Sequence, residues 1–141
     1  MSNSSDIYLL DTNVCIAYLK QKNLNVTSRI NALSKQQIRI CAVVKAELFY
    51  GSMKSNNPIN SRKLQTSFLD QFISLPFDDR CAELYGNICA DLAKLGTPIG
   101  SNDLQIASIA LVHDLILVTH NVREFSRVDG LKVKDWEGSN G

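Results

Sequence analysis

The sequence contains no apolar run approaching the roughly 18 residues of a membrane-spanning helix. Its first five residues are small and polar rather than basic and then apolar. Neither a membrane anchor nor a secretory signal is expected, and the chain reads as cytoplasmic. Cysteine is sparse: four, at positions 15, 41, 81 and 89, with no CxxC spacing, and only two histidines, His113 and His120, accompany them. That distribution argues against a structural zinc site. It predicts four reduced thiols, most of them buried. His113 is expected at a helix end and His120 in a loop. Internal repeats and low-complexity linkers are absent. A dominant charge is also lacking, with 15 Lys and Arg against 14 Asp and Glu for a net charge of +1. The overall charge therefore does not announce a polyanion-binding protein. If four carboxylates were occupied by two divalent cations, the remaining surface would be mildly basic, which is compatible with a polyanion.

What is present suits one domain. The chain has 141 residues, 45% of them apolar, long enough to bury a sizeable core. We expect an ordered domain over 7–136, between a flexible segment at 1–6 and a disordered tail at 137–141. Ile7, Tyr8, Leu9 and Leu10 form a short apolar run that reads as a buried strand. Asn13 is the expected cap of a helix reaching about Lys20. A helix over 26–33, a strand over 38–41 and a helix over 42–53 follow. After the break at Asn56, Asn57 and Pro58, the pattern predicts a helix over 59–71. A short strand within 72–77 is confined to a sheet edge by Pro76. Further helices are predicted over 78–95, stopped by Gly96, and over 101–113. A third clear strand covers 115–119, with a turn or short helix at 121–125 and a last strand at 132–133. Short apolar strands alternating with helices indicate an α/β domain with a mostly parallel sheet flanked by helices. In such sheets ligands bind beyond the carboxyl ends of the strands, where Asp11 and the segment 119–124 fall.

Several acids sit against the pattern. Asp11 ends an apolar strand, where a turn or cap role competes with a site role. Glu47 shares its part of the helical wheel with Val43, Val44, Tyr50 and Gly51, while Lys45 and Ser52 lie roughly opposite. An acid on an apolar stripe requires a partner or a metal. Asp103 falls in a first helical turn, which the helix dipole favours on its own. It nevertheless faces inward with Ile106, Ala107, Ala110 and Leu111, while Gln105 and Ser108 point elsewhere. Glu124 looks like an ordinary solvated acid. Four such carboxylates suggest a hard-cation site, for which Mg²⁺ and Mn²⁺ are suited. Phosphodiester hydrolysis is chemistry such a site supports. Their wide separation in sequence means that only the fold can bring them together.

The motifs surrounding these acids resemble those of a known family. Leu9-Leu10-Asp11-Thr12-Asn13 is similar to the opening motif of PIN domains, and Ala46-Glu47-Leu48-Phe49-Tyr50-Gly51 to the second acidic motif. Pro98-Ile99-Gly100-Ser101-Asn102-Asp103, followed by Ile106-Ala107, resembles the third. Val118-Thr119-His120-Asn121-Val122-Arg123-Glu124-Phe125 resembles the fourth, and Asp135-Trp136 fits the close. The resemblance runs in order from about Ile7 to Trp136 and is greatest to VapC toxins of type II toxin–antitoxin systems.

It implies a PIN-like fold and a metal-dependent endoribonuclease, with tRNA as one candidate substrate. Asp11 and Asp103 would be the principal Mg²⁺ ligands, with Mn²⁺ able to substitute. Glu47 would complete the cluster directly or through water, and Glu124 or Asn121 would fill the fourth position. Thr12, Asn13, Thr119 and Asn121 would orient ligands and water. Lys45, Arg123 and Arg127 lie beside the motifs and are candidate RNA phosphate contacts. The implied partners are a VapB-type antitoxin, RNA and a second copy of the chain, with no membrane. His120 stands where Asn or Arg is more usual, and Ser101 where Pro is frequent. A phosphatase of the haloacid dehalogenase type would need an Asp where Asn13 stands. A related DNA nuclease and a non-catalytic PIN-like binding domain are the alternatives; the intact acids argue against the latter.

Overall fold

A computed structural model describes residues 5–138. Of the expected loose ends, 1–6 and 137–141, residues 1–4 and 139–141 lie outside the described residues. Within them, the Asp6 carbonyl accepts from Gln37 Nε2 at 3.5 Å. Asn23 and Asn25 donate to the carbonyls of Glu137 and Gly138 at 3.3 and 3.1 Å.

The chain alternates short strands and helices: β1 (Tyr8–Leu10), α1 (Thr12–Leu19), α2 (Leu24–Ala32), β2 (Ile38–Cys41), α3 (Ala42–Met53), α4 (Pro58–Leu69), β3 (Ile73–Leu75), α5 (Asp79–Lys94), α6 (Ser101–Val112), β4 (Ile116–Val118), α7 (Val122–Phe125) and β5 (Lys132–Lys134). The five strands form one sheet in the order β3-β2-β1-β4-β5. Every pairing is parallel, with Leu9 opposite Arg39 on one side and Leu117 on the other. Strands that are flanked on both sides and covered on both faces must be apolar throughout. Accordingly β1 and β4 are buried at every position, and β2 at every position except Arg39. The edge strands β3 and β5 are partly exposed, which is how Ser74, Lys132 and Lys134 are tolerated there.

The strand order turns at β1. From it the chain builds outward through β2 and β3, then returns to lay β4 and β5 on the opposite side. Such a reversal leaves a crevice at the carboxyl ends of the two strands where it occurs, and Asp11 directly follows β1.

Trp136 seals the opposite chain end into the core. It is 2% exposed, with its ring 5.2 Å from that of Tyr8. Gly96 ends α5 with φ of 70°, a conformation glycine adopts without steric penalty, and the Thr97 N–H bonds back to the Leu92 carbonyl at 3.0 Å. His113 caps the carboxyl end of α6 and His120 lies in the loop after β4, as expected. All four cysteines are free; Cys15, Cys41 and Cys81 are buried and Cys89 is exposed.

Two serines depart from expectation. Ser52 and Ser108 are buried rather than outward-facing. Each hydroxyl donates to a carbonyl of its own helix, Phe49 at 2.8 Å and Leu104 at 2.7 Å, so burial leaves no donor unsatisfied. A single 3-10 turn at Lys35–Gln37, unforeseen in the sequence, leads into β2. No helix among the described residues is long and apolar enough to cross a membrane.

Candidate active site

Asp11 directly follows β1, at the carboxyl end of the strand where the order reverses. Its backbone N–H donates to the Val118 carbonyl at 3.1 Å, continuing the β1–β4 ladder by one step. Its side chain then caps α1, with Oδ1 accepting from the Val14 N–H at 2.9 Å. The cap is therefore Asp11 and not Asn13, because the ladder fixes where the strand ends and the acid arrives first. Asn13 falls within the first helical turn, is exposed and bonds none of the acids. Asp11 is 6% exposed. Burial raises its pKa to about 6, against the opposing effects of the Thr119 hydroxyl and the Val14 N–H; repulsion from Asp103 adds to the rise. Thr119 can serve Asp11 because its oxygen accepts from the Asn121 N–H at 3.0 Å, leaving its own hydrogen to donate.

The second acid enters from α3. Glu47 is half-buried at the rim rather than fully on an apolar stripe: Val44 is buried and Val43 partly so, but Tyr50 and Gly51 are exposed. Thr12 Oγ1 donates to Glu47 Oε1 at 2.6 Å, which ties the start of α1 to α3. Asp103 enters from the first turn of α6, half-buried above Ala107, which is fully buried. Burial raises its pKa, and repulsion from Glu124 and Glu47 acts in the same direction. Repulsion thus links Asp103 to Asp11, Glu47 and Glu124.

Glu124 joins from α7 and is held by two donors. The Gly100 N–H reaches Oε1 at 3.3 Å and Asn121 Nδ2 reaches Oε2 at 2.9 Å. The first bond links α7 to the loop that opens α6. The sequence carries no local signal for it.

The candidate cations differ in exposure. Lys45 is half-buried on α3, Arg123 is exposed, and Arg127 is exposed with Nη1 donating to the Pro98 carbonyl at 3.3 Å. Among the described residues the ion pairs are His120–Asp135 and Lys132–Asp114, so none of the four site acids is neutralised by Lys or Arg. His120 Nδ1 lies 3.0 Å from Asp135 Oδ2, a pairing that sequence reasoning missed because the partners sit at the ends of different strands.

The donor set is entirely oxygen, acidic and short of positive charge. Among the described residues, no three acids, histidines or cysteines are drawn tightly enough to hold a metal by protein ligands alone. That arrangement still fits Mg²⁺, which typically takes one or two carboxylates and retains several waters. Two carboxyls with raised pKa and no basic partner are groups a divalent cation would stabilise in their charged form.

Residues 8–131 match the PIN domain family. The chain is 38% identical over 129 residues to "Ribonuclease VapC2" of Haemophilus influenzae, covering 92% of this chain and 97% of that protein. It is 40% identical over 129 residues to the "tRNA(fMet)-specific endonuclease VapC" of Shigella flexneri, with coverage of 92% and 97%. The solved structure of DNA-bound VapBC from Salmonella typhimurium matches with a TM-score of 0.87 at 35% identity, covering 93% of this chain and 98% of that chain. With the fold, the ordered motifs and these relatives in agreement, the chain belongs to the PIN-domain family, within its VapC ribonucleases.

Proposed function

We propose that this protein is the toxin of a type II toxin–antitoxin pair, an endoribonuclease that hydrolyses RNA at a Mg²⁺ site held by Asp11 and Asp103, with Glu47 completing the acidic cluster. The reading is supported by Asp11 at the strand-order reversal, by the repulsion that ties Asp103 to Asp11, Glu47 and Glu124, and by the absence, among the described residues, of a Lys or Arg ion pair to any of the four. PIN nucleases generally use divalent metal ions; the all-oxygen donor set favours Mg²⁺, with Mn²⁺ as a substitute.

A divalent ion bound there supplies Lewis acidity, acidifying water and neutralising charge that builds on a phosphodiester in the transition state. The chain's own residues prepare the place. The α1 cap and Thr119 hold Asp11 in one orientation. Thr12 fixes one oxygen of Glu47. Asn121 and the Gly100 N–H fix both oxygens of Glu124. Side chains held this way lose less freedom when a ligand arrives. Lys45, Arg123 and Arg127 offer positive charge around the acidic centre for the RNA backbone, and Arg127 also braces the loop before α6. Asn13, exposed at the first turn of α1, would orient ligands or water around the metal.

The Shigella relative is named for tRNA(fMet), which makes tRNA the favoured substrate class. The Salmonella structure is a VapBC complex on DNA, so a VapB-type antitoxin is the expected partner. A homodimer acting on cytoplasmic RNA completes the assignment. The test compares wild type with Asp11→Ala and Asp103→Asn on total RNA, with Mg²⁺ or Mn²⁺ and with EDTA. Discrete fragments are expected from wild type alone and none in EDTA. Intact RNA with folded, metal-supplied wild type would overturn the assignment.

A further inference from the structure

Helix α3 continues beyond the acidic cluster. Glu47, Tyr50, Gly51 and Lys54 follow one another at helical spacing, so they form a line along one side of α3 and its carboxyl cap. Tyr50 is 65% exposed. Lys54 Nζ lies 4.4 Å from the centroid of its ring, bracing it while leaving most of the ring in solvent. Between Tyr50 and Glu47 the surface is low: Ala46 is small and exposed, and a Cβ placed on Gly51 would meet nothing within 4 Å.

Charge on this hairpin is uneven. Over residues 42–69 the cations are Lys45, Lys54, Arg62 and Lys63, and Glu47 of the active site is the single acid. A chain whose overall balance is only +1 thus concentrates positive charge on α3 and α4. Arg62 is committed, lying 4.1 Å over the Phe49 ring with Nε donating to Ser52 Oγ. Lys54 and Lys63 remain at the surface.

We propose that Tyr50, braced by Lys54, is a stacking subsite for an unpaired RNA base next to the cleaved phosphodiester. This inference rests on the ribonuclease assignment and extends it to the class of RNA conformation accepted. Sequence-tolerant recognition of single strands combines an exposed aromatic face with positive charge tracking the backbone, and α3 presents both one helical turn from Glu47. A loop nucleotide has a free face to stack, whereas a base within a duplex does not, so the subsite selects loops over continuous helix. The surface is less suited to a second copy of the chain laid symmetrically on the same patch, because that would set Lys54 and Lys63 against their own counterparts.

The test uses a hairpin RNA with an unpaired loop, and the same loop sequence held in a full duplex as the control. Tyr50→Ala is expected to raise KM for the hairpin about tenfold, the effect of losing one stacked base, with kcat within about twofold. Tyr50→Phe and Tyr50→Trp keep a ring and are expected to restore KM. In EDTA, where no cleavage is required, the added indole of Tyr50→Trp should be quenched by the hairpin and not by the duplex, over the constant background of buried Trp136. Quenching that follows protein concentration without RNA would assign the ring to self-association and overturn the proposal, as would an unchanged KM in Tyr50→Ala. If wild type cleaves nothing, the ribonuclease assignment fails by itself, and the fluorescence arm still decides whether Tyr50 meets RNA.

Discussion

Thr12 Oγ1 donates a 2.6 Å hydrogen bond to Glu47 Oε1, so the residue after the strand-end acid orients the acid of a different helix. Thr12→Val keeps the shape and removes the donor. Lost outer partners of metal-binding carboxylates typically reduce affinity or activity by about 10–100-fold, while one partly exposed hydrogen bond contributes only about 1 kcal/mol to the fold. Thr12→Val should therefore lower kcat/KM or the affinity for Mg²⁺ within that range and leave Tm nearly unchanged. Cleavage kinetics against Mg²⁺ concentration, beside thermal melts, separate the two effects.

Asp11 combines a helix cap with a buried charge, and two substitutions divide these roles. Asn retains the capping oxygen; Ala loses it, at about 1 kcal/mol. In EDTA near pH 7.5, Asp11→Asn should be at least as stable as wild type and Asp11→Ala less stable than Asp11→Asn, and both should be inactive when Mg²⁺ is supplied. Denaturant melts and a cleavage assay check the pair. An Asp11→Asn chain that cleaves RNA at the wild-type rate would remove Asp11 from the machinery.

The pH dependence follows from the same burial. The folded pKa of Asp11, about 6, lies above its value in an unfolded chain. The folded state then binds the extra proton between about pH 4 and 6, and stability falls as pH rises through that window. Two units correspond to about 3 kcal/mol as an upper scale. Asp103 acts in the same direction. So does His120, whose pKa is raised by its bond to Asp135, and the comparison with Asp11→Asn isolates the Asp11 share. Without metal, wild type should be more stable at pH 5 than at pH 7.5. Mg²⁺ should narrow the gap by stabilising the charged carboxylates, and cleavage should decline as pH drops towards 6.

Thiol chemistry tests the packing. Cys89 is exposed on α5, while Cys15, Cys41 and Cys81 are buried, and burial raises the pKa of each of the three. A thiol reagent should modify one cysteine rapidly in the native protein and four after denaturation. Rapid native labelling of more than one would contradict the core described.

Much of this arrangement was legible in the sequence because its signals are local. Apolar runs marked β1, β2 and β4, Pro76 pointed to the edge strand, and Gly96 marked the end of α5. Asp11, Glu47 and Asp103 were visible as charges misplaced on apolar patterns. What escaped notice depended on partners distant in sequence or on side chains that satisfy themselves. Asp11 replaced Asn13 as the cap because a ladder bond to Val118 ends the strand. Ser52 and Ser108 defied the helical wheel because a hydroxyl can bond its own helix and be buried. Glu124 resembled a solvated acid until the fold brought Gly100 beside it, and His120 gave no hint of Asp135.

Each site acid rides on a different element, and the last of them, together with Thr119, lies in the final fifth of the chain, next to the central strand laid down first. A nascent chain that has passed β1, α3 and even α6 still lacks β4 and α7, and with them the neighbour that completes the crevice. A chain cut short before β4 would keep Asp11, Glu47 and Asp103 but lack Thr119, Glu124 and the strand to which the Asp11 N–H is bonded.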